Sequence, residues 1–513
     1  MTATFPEAPT DLRERIAQLL MIRIGSNLPP ILRTHEDEER VAELLRSCPV
    51  GGLLLFNGVW PNARGTLDRL QTASRTPLLI ASDIERGVGQ QVAGLTVFPH
   101  QRAFVELPDS DQAIQEFCQL TAAEAHAAGI HVTFGPVADV NSDPRNPIIA
   151  TRAFGDEPRR AADLVSAYVR ASESAGVASC AKHFPGHGDT HQDSHEAMPR
   201  VTVSADTLRE RELVPFRAAI DAGVAMLMTA HVEYPALDPS GTPATLSKPI
   251  LTDLLRDEMG FQGVVCSDSL LMAGVRDRFD SEGDMCLAAI NAGVDLLLDV
   301  ESPNEVVDAL EAAAEASPAV KDRLDEAFAR VWQLKQRCFG NEEASGALPD
   351  GGEALATRIA MAATKIVSQA EPAPLPFDLQ RPLTCVLLKP HHRPTDPPEQ
   401  PLAAALRERF AEVRYFESGP EVDADLAAKI LDGTINTPIL VAMIVKPAAW
   451  HAFGLVESQD TLIRRLMQDR AIVLACLGVE NALDDYPEAV ARIVTHSDVP
   501  ASQRALAAVT SNS

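Results

Sequence analysis

Residues 77–83 read PLLIASD, a short apolar run that ends in an aspartate. Seven more apolar runs of similar length lie between residues 19 and 300. Continuous apolar runs of this kind are typical of parallel β-strands that are buried on both faces. The other seven are LLMIRIG (19–25), GGLLLFN (51–57), HVTFGPVADV (131–140), VASCAKHF (177–184), AMLMTAH (225–231), GVVCSDS (263–269) and VDLLLDV (294–300).

Amphipathic segments separate these apolar runs, and several of them end in glycine, as helices often do. Eight strands that alternate with helices predict a (β/α)8 TIM-type barrel over residues 1–340. Representative helical segments are DEERVAELLRS (37–47), DQAIQEFCQLTAAEAHAAG (111–129) and SADTLRERELVPFRAAIDAG (204–223).

A second α/β pattern follows the barrel. Residues 341–355 are rich in glycine, glutamate and small residues, which indicates a linker. Residues 356–513 then alternate apolar runs with helical segments, which predicts a smaller doubly wound α/β sandwich domain. This domain lacks GxGxxG and GxxxxGK[ST] patterns, so a structural or interfacial role is expected. Its apolar runs are PLTCVLLKP (382–390), AEVRYFE (411–417), TPILVAMIVKP (437–447), AIVLACLG (471–478) and RIVTHSD (492–498).

The composition narrows the set of partners. The 513 residues include 45 Lys and Arg against 72 Asp and Glu, a formal net charge of −27. A field of this sign repels the phosphates of nucleic acids and of anionic membranes, so neither is an expected partner. No apolar run approaches the ~20 residues of a membrane span, and the N-terminal pattern is not that of a signal peptide. Eight cysteines without CxxC spacing favour a reducing cytoplasm, while the oligomeric state stays open.

Polar residues follow the predicted barrel strands at the ends where barrel enzymes place their chemistry. Because carboxyl ends of parallel strands meet at one rim, these side chains are expected to converge into an active site. Each of them taken alone has an ordinary structural explanation, such as a helix cap or a hydrogen-bonded buried histidine. The six residues are Asp83, Asp139, Lys182, His183, His231 and Asp268.

The segment KHFPGHGDTHQDSH (182–195) places a histidine at every fourth position, from 183 to 195. Four imidazoles at this spacing would share one face of a helix, which raises the hypothesis of a zinc site. Pro185, Gly186 and Gly188 disfavour a helix, so the four rings need not converge. A metal-dependent barrel hydrolase would also be expected to carry His-x-His on its first strand, and LLMIRIGSN has no histidine. We therefore predict no metal and no cofactor.

The same segment carries a longer signature. KHFPGHG, four residues and then Asp-Ser-His resembles the motif of glycoside hydrolase family 3, in its β-N-acetylglucosaminidase branch. The resemblance extends over the barrel through SDIERG, GPVADVN, NPIIATRAFGDEP and GFQGVVCSDSLLM. It implies a retaining exo-β-N-acetylglucosaminidase that acts on a small carbohydrate substrate, with cell-wall fragment recycling in the cytoplasm as the expected role.

The resemblance also assigns roles to the polar residues. Asp268 would be the nucleophile, and His195 paired with Asp193 on the loop after strand five would be the general acid and base. An adjacent carboxylate would orient the imidazole and favour its protonated form. His231 either contacts the substrate or buttresses the nucleophile, and Arg152 either binds a sugar hydroxyl or braces a loop. The residues expected to hold the sugar are Asp83, Arg152, Lys182, His183 and His231.

Two departures from the family pattern lie near the expected sugar subsite. The chain reads DIERGVGQQV where the family commonly has D-x-E-G-G-R-V, and Thr151 stands where an Asp often precedes the Arg. Three alternatives remain for the function: a glycoside phosphorylase on the same fold, a metal-dependent barrel hydrolase and an inactive sugar-binding scaffold. Phosphate is a conceivable acceptor because a histidine base, unlike a carboxylate, does not repel it.

Overall fold

The computed structural model describes residues 5–190, 198–340, 348–391, 397–434, 437–447 and 453–511. The chain forms two compact units that are interleaved in sequence. One comprises Met1–Val97, Ile114–Asn146 and Ala153–Gly352, and the other comprises Phe98–Ala113, Pro147–Arg152 and Glu353–Ser513. The predicted division at 1–340 and 356–513 thus omits two excursions of the chain into the second unit. In addition, the helix Gly352–Ala363 begins inside the predicted 341–355 linker.

The first unit contains a parallel eight-stranded barrel. The strands are β1 (Leu20–Ile24), β2 (Gly52–Leu55), β3 (Leu79–Ser82), β4 (Val132–Thr133), β5 (Ala178–Phe184), β6 (Met226–Thr229), β7 (Val264–Cys266) and β8 (Leu297–Leu298). They are paired in the order β8-β1-β2-β3-β4-β5-β6-β7. A parallel bridge between Cys266 and Leu296 connects β7 to β8 and closes the sheet. Every predicted apolar run of this unit contains one strand, which confirms the predicted barrel.

Helices connect successive barrel strands, and their ends follow local sequence signals. The Glu157 side chain accepts hydrogen bonds from two backbone N–H groups at the start of Pro158–Ser174, and Ser281 caps Glu282–Ala292. Among the described residues, no helix is long and apolar enough to cross a membrane. The α-helices before residue 340 are Leu12–Ala17, Glu38–Ser47, Asn62–Ala73, Gln101–Phe104, Ser110–Ala128, Pro158–Ser174, Ala205–Thr207, Leu213–Asp221, Ala273–Arg276, Glu282–Ala292, Pro303–Ala316 and Pro318–Phe339. The π-helical segments are Leu208–Glu212 and Pro249–Glu258.

Shorter elements lie in both units. Gly58–Val59 and Val92–Ala93 form a small parallel sheet near the ends of β2 and β3. Strands β2, β3, β5 and β6 are buried along their whole length, as expected for strands covered by helices outside and by side chains inside. The 3₁₀ turns are Val88–Gln90, Ala150–Arg152, Ala244–Leu246 and Glu480–Leu483.

The second unit is built on a six-stranded sheet with apolar clusters on both faces. The strands are β9 (Lys365–Gln369), β10 (Leu383–Leu388), β11 (Val413–Ser418), β12 (Ile439–Met443), β13 (Ile472–Cys476) and β14 (Ala491–Val494). Their order in the sheet is β9-β14-β13-β12-β10-β11, and all neighbours are parallel except β9 and β14. One apolar cluster contains residues of the helices Pro401–Arg407 and Pro500–Ser511, and the other contains residues of the helices Ala424–Gly433 and Glu457–Asp469. Helices on both faces of the sheet confirm the predicted doubly wound domain.

Candidate active site

A buried lysine joins the ends of β3 and β5. The Lys182 ammonium contacts the carboxylate of Asp83 at 2.6 Å and that of Glu85 at 2.7 Å, and the lysine side chain is only 2% exposed. Burying one cation between two carboxylates satisfies its charge and leaves one negative charge over. Because Asp83 is half-buried, this cluster presents carboxylate oxygens at the rim of the barrel.

His183 is fixed by a fully buried aspartate. Its Nδ1 lies 2.7 Å from Oδ2 of Asp139, and its backbone N–H donates to the same carboxylate. The backbone N–H of His187 donates to Oδ1 of Asp139 at 2.7 Å. Burial by itself raises the pKa of Asp139, but the neighbouring His183 and these hydrogen bonds outweigh it, so the pKa lies below its usual value. Asp139 is therefore an ionised residue that orients the His183 ring.

Lys182 and His183 are neighbours in sequence, yet both bind carboxylates at the carboxyl end of the barrel. In a regular strand successive side chains point to opposite faces. The pairing of β5 with β6 changes register between Ala181 and Phe184, and this irregularity spans both residues. Such irregularities turn side chains and are frequent beside active sites.

The chain after β5 is held by buried hydrogen bonds. The Tyr234 hydroxyl donates to the carbonyl of Gly186 at 2.6 Å, and the Asn146 amide donates to the carbonyls of His187 and Gly188. Gly186 has φ of +128°, and a Cβ at Gly188 would overlap the carbonyl oxygen of Val140. The glycines of this segment therefore serve its shape, because a side chain at either position would be strained or would not fit.

The histidine repeat does not converge over the part that the structure describes. The rings of His183 and His187 have centroids 6.0 Å apart, and Nδ1 of His187 lies 3.0 Å from the hydroxyl of Thr190. Burial, with the neighbouring His183 next, lowers the pKa of His187 to about 4, so this ring is neutral at pH 7. Within the described ranges no group of three His, Cys, Asp or Glu side chains is arranged to hold a metal ion. His191, Asp193 and His195 lie outside the described residues.

Asp189 connects this segment to a cluster of charged residues on the helical segment that follows it. Arg211 pairs with Asp189 through one guanidinium nitrogen and with Glu212 through Nε, at 2.6 Å. Glu212 is fully buried and also accepts a hydrogen bond from Ser142 at 3.0 Å. No described residue provides a hydrogen-bond partner for its Oε2. Burial, opposed by Arg211, raises the pKa of Glu212 to about 7.

Asp268 follows β7 at the same rim and is half-buried. The backbone N–H of Ser269 donates to its Oδ1 at 2.7 Å. Burial alone raises the pKa of Asp268, but the charges of His183, His231 and Lys182 and the Ser269 N–H bring it below its usual value. An ionised, partly accessible carboxylate can act as a nucleophile.

His231 is almost completely buried, and both of its ring nitrogens have partners inside the protein. Nε2 donates to the carbonyl of Ser269 at 3.0 Å, and Nδ1 lies 2.7 Å from the hydroxyl of Thr245. This geometry favours the second of the two roles that the sequence left open for His231, because the ring buttresses the residue next to Asp268. The substrate contact assigned to it is not supported by these hydrogen bonds.

Arg152 ends the 3₁₀ turn Ala150–Arg152, in the excursion that groups with the second unit. Its guanidinium donates to the carbonyl of Ile148 at 3.1 Å. The bracing role is consistent with this bond, and the predicted sugar contact stays a prediction.

Three residues of the rim were missed by the sequence analysis. Glu85 lies two positions after Asp83, within the same DIERG segment. Asp299 follows β8 as Asp83 follows β3, so the rule that singled out strand-end carboxylates also applies to it. Arg23 lies inside an apolar run, and its ion pair with Asp299 links residues 276 positions apart, for which the sequence gives no local signal.

A closed parallel barrel whose carboxyl rim gathers carboxylates, a lysine and histidines defines an α/β-barrel enzyme. Residues 11–334 match the family described as "Glycosyl hydrolase family 3 N terminal domain", which is more than half of the chain. The chain belongs to glycosyl hydrolase family 3, and its class is therefore that of the glycosidases. This agrees with the resemblance noted in the KHFPGHG motif.

Several relatives have names that describe an activity. The chain is 36% identical over 338 residues to beta-hexosaminidase A of Pseudoalteromonas piscicida, covering 58% of this chain and 55% of that protein. It is 31% identical over 361 residues to a beta-N-acetylglucosaminidase/beta-glucosidase of Cellulomonas fimi, covering 67% of this chain and 64% of that protein. The match thus spans less than two thirds of either relative's length.

A solved structure matches over almost the whole chain. It is a glycoside hydrolase family 3 beta-N-acetylglucosaminidase from Paenibacillus sp. str. FPU-7, with a TM-score of 0.87 and 29% sequence identity. The match covers 98% of this chain and 97% of that chain. Both units of the fold therefore have counterparts in a single solved protein.

Proposed function

We propose that this chain is a retaining exo-β-N-acetylglucosaminidase that releases terminal β-linked N-acetylhexosamine through a covalent glycosyl-enzyme. The observation that carries the proposal is the environment of Asp268: a half-buried carboxylate at the end of β7 whose pKa is lowered against the effect of burial. A nucleophile must be ionised when the substrate binds, and this carboxylate meets that condition at neutral pH. The names of the relatives support the sugar preference.

In the first step an oxygen of Asp268 attacks the anomeric carbon, and the bond from that carbon to the leaving oxygen breaks. The leaving oxygen takes a proton from the imidazolium of His195, which Asp193 orients. In the second step neutral His195 takes a proton from water as the water oxygen displaces Asp268. The sugar thus leaves with its original anomeric configuration, and the enzyme returns to its starting state.

His187 is unsuited to the role of the acid, although it belongs to the same repeat. It is buried, it is hydrogen bonded to Thr190, and its pKa of about 4 leaves almost no proton to give at pH 7. A proton donor for a neutral-pH reaction needs a pKa near the working pH. This supports assigning the proton transfer to His195 on the basis of the motif.

The fixed charges at the rim suit a sugar ring. Asp83 and the buried Lys182 present an acceptor and a donor, and His183 is held in one orientation by Asp139. Hydrogen bonds to sugar hydroxyls that strengthen as charge develops at the ring would lower the barrel enzyme's activation free energy. The ligand class is therefore a small carbohydrate, and no residue of this set requires a metal or an organic cofactor for the proposed steps.

A panel of aryl β-glycosides tests the sugar and the acceptor together. We expect a much higher kcat/KM for the N-acetylglucosaminide than for the glucoside, with free N-acetylglucosamine as the product in both phosphate and phosphate-free buffer. Sugar 1-phosphate in phosphate buffer would instead identify a phosphorylase. Equal rates on both glycosides would contradict the proposed sugar preference.

We also propose that the enzyme acts in the cytoplasm on imported cell-wall fragments. The eight unpaired cysteines, seven of them buried, are consistent with a reducing compartment. Cell fractionation followed by an activity assay checks the location, and recovery of the activity outside the cytoplasm would contradict it.

A further inference from the structure

Asp299, directly after β8, adopts a backbone conformation that is uncommon for a residue with a side chain. Its φ is +67°, and it is 1% exposed. Asp and Asn enter the left-handed region more readily than other residues, but at a free-energy cost that the surroundings must offset. Such positions cluster at functional sites, so the partners of this side chain are informative.

The Asp299 carboxylate accepts hydrogen bonds from two residues, Arg23 on β1 and Ser269 after β7. Arg23 of β1 donates through Nε to Oδ1 at 3.1 Å and through a terminal nitrogen to Oδ2. The hydroxyl of Ser269 donates to Oδ2 at 2.7 Å. A fork of two parallel bonds fixes the plane of the carboxylate more firmly than a single contact does. Asp299 therefore links the first barrel strand to the residue after Asp268.

Ser269 is held through three different groups. Its hydroxyl donates to Asp299, its carbonyl accepts from His231 at 3.0 Å, and its backbone N–H donates to Asp268 at 2.7 Å. The first two bonds fix the orientation of this residue, and the third transmits that orientation to the Asp268 carboxylate. The N–H also helps to keep the pKa of Asp268 low.

The outer end of this chain of contacts is rigid as well. The Arg23 guanidinium lies over the Phe56 ring, 4.9 Å from its centroid, which restricts its rotation. The backbone carbonyl of Arg23 accepts a bond from Arg40 at 2.8 Å, and Arg40 is itself paired with Asp37. The network therefore ends in packed and paired groups, and its position depends on β1.

We infer that Asp299 and Arg23 are positioning residues that hold the Asp268 carboxylate in its attacking orientation by way of Ser269. This inference rests on the proposed role of Asp268 as the nucleophile. Neither residue needs to touch the substrate. Misplacing reacting atoms by about 1 Å can cost on the order of 10²-fold in rate, so a network of this kind has room to act on kcat.

The test measures how fast Asp268 is trapped by a 5-fluoro glycosyl fluoride of N-acetylglucosamine, in which the carboxylate displaces fluoride. Ser269→Ala removes only the bond to Asp299, and Asp299→Asn keeps the shape and tolerates positive φ but loses the charge. We expect the maximal trapping rate to fall roughly 10- to 100-fold, with the inhibitor's half-saturating concentration nearly unchanged. In Ser269→Ala, which leaves the charge of Asp299 in place, the acidic limb of the trapping rate should move to higher pH, because the Ser269 N–H is less well aimed at Asp268.

Two comparisons separate positioning from general loss of stability. Ser281→Ala removes another serine hydroxyl hydrogen bond in the same unit, at the cap of Glu282–Ala292, and should leave the trapping rate and its pH profile unchanged. The double variant Ser269→Ala, Asp299→Asn should lose little more than the worse single variant, because both act through one bond.

The positioning role of Asp299 and the assignment of Asp268 as the nucleophile fail through different results. Wild-type trapping rates and pH profiles in both single variants overturn the positioning role and leave the nucleophile assignment intact. Absence of label on Asp268 in the wild-type protein overturns the nucleophile assignment and the positioning role together.

Discussion

Replacing Glu212 with glutamine is expected to remove a pH-dependent part of the stability of the barrel unit. The pKa of this carboxyl is raised from 4.5 to about 7, because burial opposes its charged form more than Arg211 supports it. The folded state therefore holds a proton that the unfolded state releases between these values. The resulting stability is fully present below about pH 4.5 and is lost as the pH rises through about 7.

The size of the effect follows from the two pKa values. A pKa difference of ~2.5, at 1.36 kcal/mol for each tenfold change, corresponds to roughly 3 kcal/mol in the free energy of unfolding. Most of this, about 2.5 kcal/mol, falls between pH 5 and pH 8. Glutamine is neutral at both values and has nearly the same shape, so the variant should not lose this amount.

Urea denaturation followed by tryptophan fluorescence provides the assay, on the wild type and Glu212→Gln at pH 5 and pH 8. The free energy of unfolding of the variant minus that of the wild type should be about 2.5 kcal/mol larger at pH 8 than at pH 5. Glu210→Gln, an exposed neighbour on the same segment, is the matched control and should show no such trend. A stability difference for Glu212→Gln that is independent of pH would refute the reasoning.

The remaining predictions concern the rim. His195→Ala should strongly slow cleavage of natural linkages but leave the first step on activated aryl glycosides largely intact. Added azide should restore turnover and give a β-glycosyl azide. Equal loss of activity on good and poor leaving groups, without rescue by azide, would contradict this role. Asp193→Asn should show a weaker form of the same pattern. Lys182→Met leaves Asp83 and Glu85 without their shared cation, so kcat/KM should fall by on the order of 10²-fold and recover partly at lower pH in a pH–rate series. Activity should survive dialysis against a chelator, and a loss that zinc reverses would revive the metal hypothesis.

The barrel could be predicted because its strands are buried on both faces and therefore leave continuous apolar runs. The runs overstate the length of some strands: HVTFGPVADV contains only Val132–Thr133, and VDLLLDV only Leu297–Leu298. Burial extends beyond the paired residues, whereas a strand ends where its neighbours stop pairing, and that depends on distant parts of the chain.

Other parts of the fold left no apolar signal. Strand β9 (Lys365–Gln369) is mostly exposed and lies at the antiparallel edge of the second sheet, so its sequence is not an apolar run. The excursions 98–113 and 147–152 group with the second unit through long-range contacts. Periodicity reports which face of a segment is buried and does not report which unit buries it.

At the rim, residue types at strand ends were predictable and their partners were not. Asp83, Lys182, His183 and Asp268 follow from the strand-end rule and the motif, but pairings such as Lys182 with Glu85 depend on which strands are adjacent and on the irregularity in β5. For His231, the position in the sequence allowed two roles, a substrate contact or support of the nucleophile. Only its hydrogen bonds to Thr245 and Ser269 favour support of the nucleophile.

Peptide mapping after trapping with the 5-fluoro glycosyl fluoride tests the central proposal most directly. The wild-type protein should gain the mass of one sugar, carried by the peptide that contains Asp268 and located on that carboxylate, while Asp268→Asn should gain none. Label on a different residue, or full activity with no label and inverted product, would contradict the proposed nucleophile and the retaining mechanism.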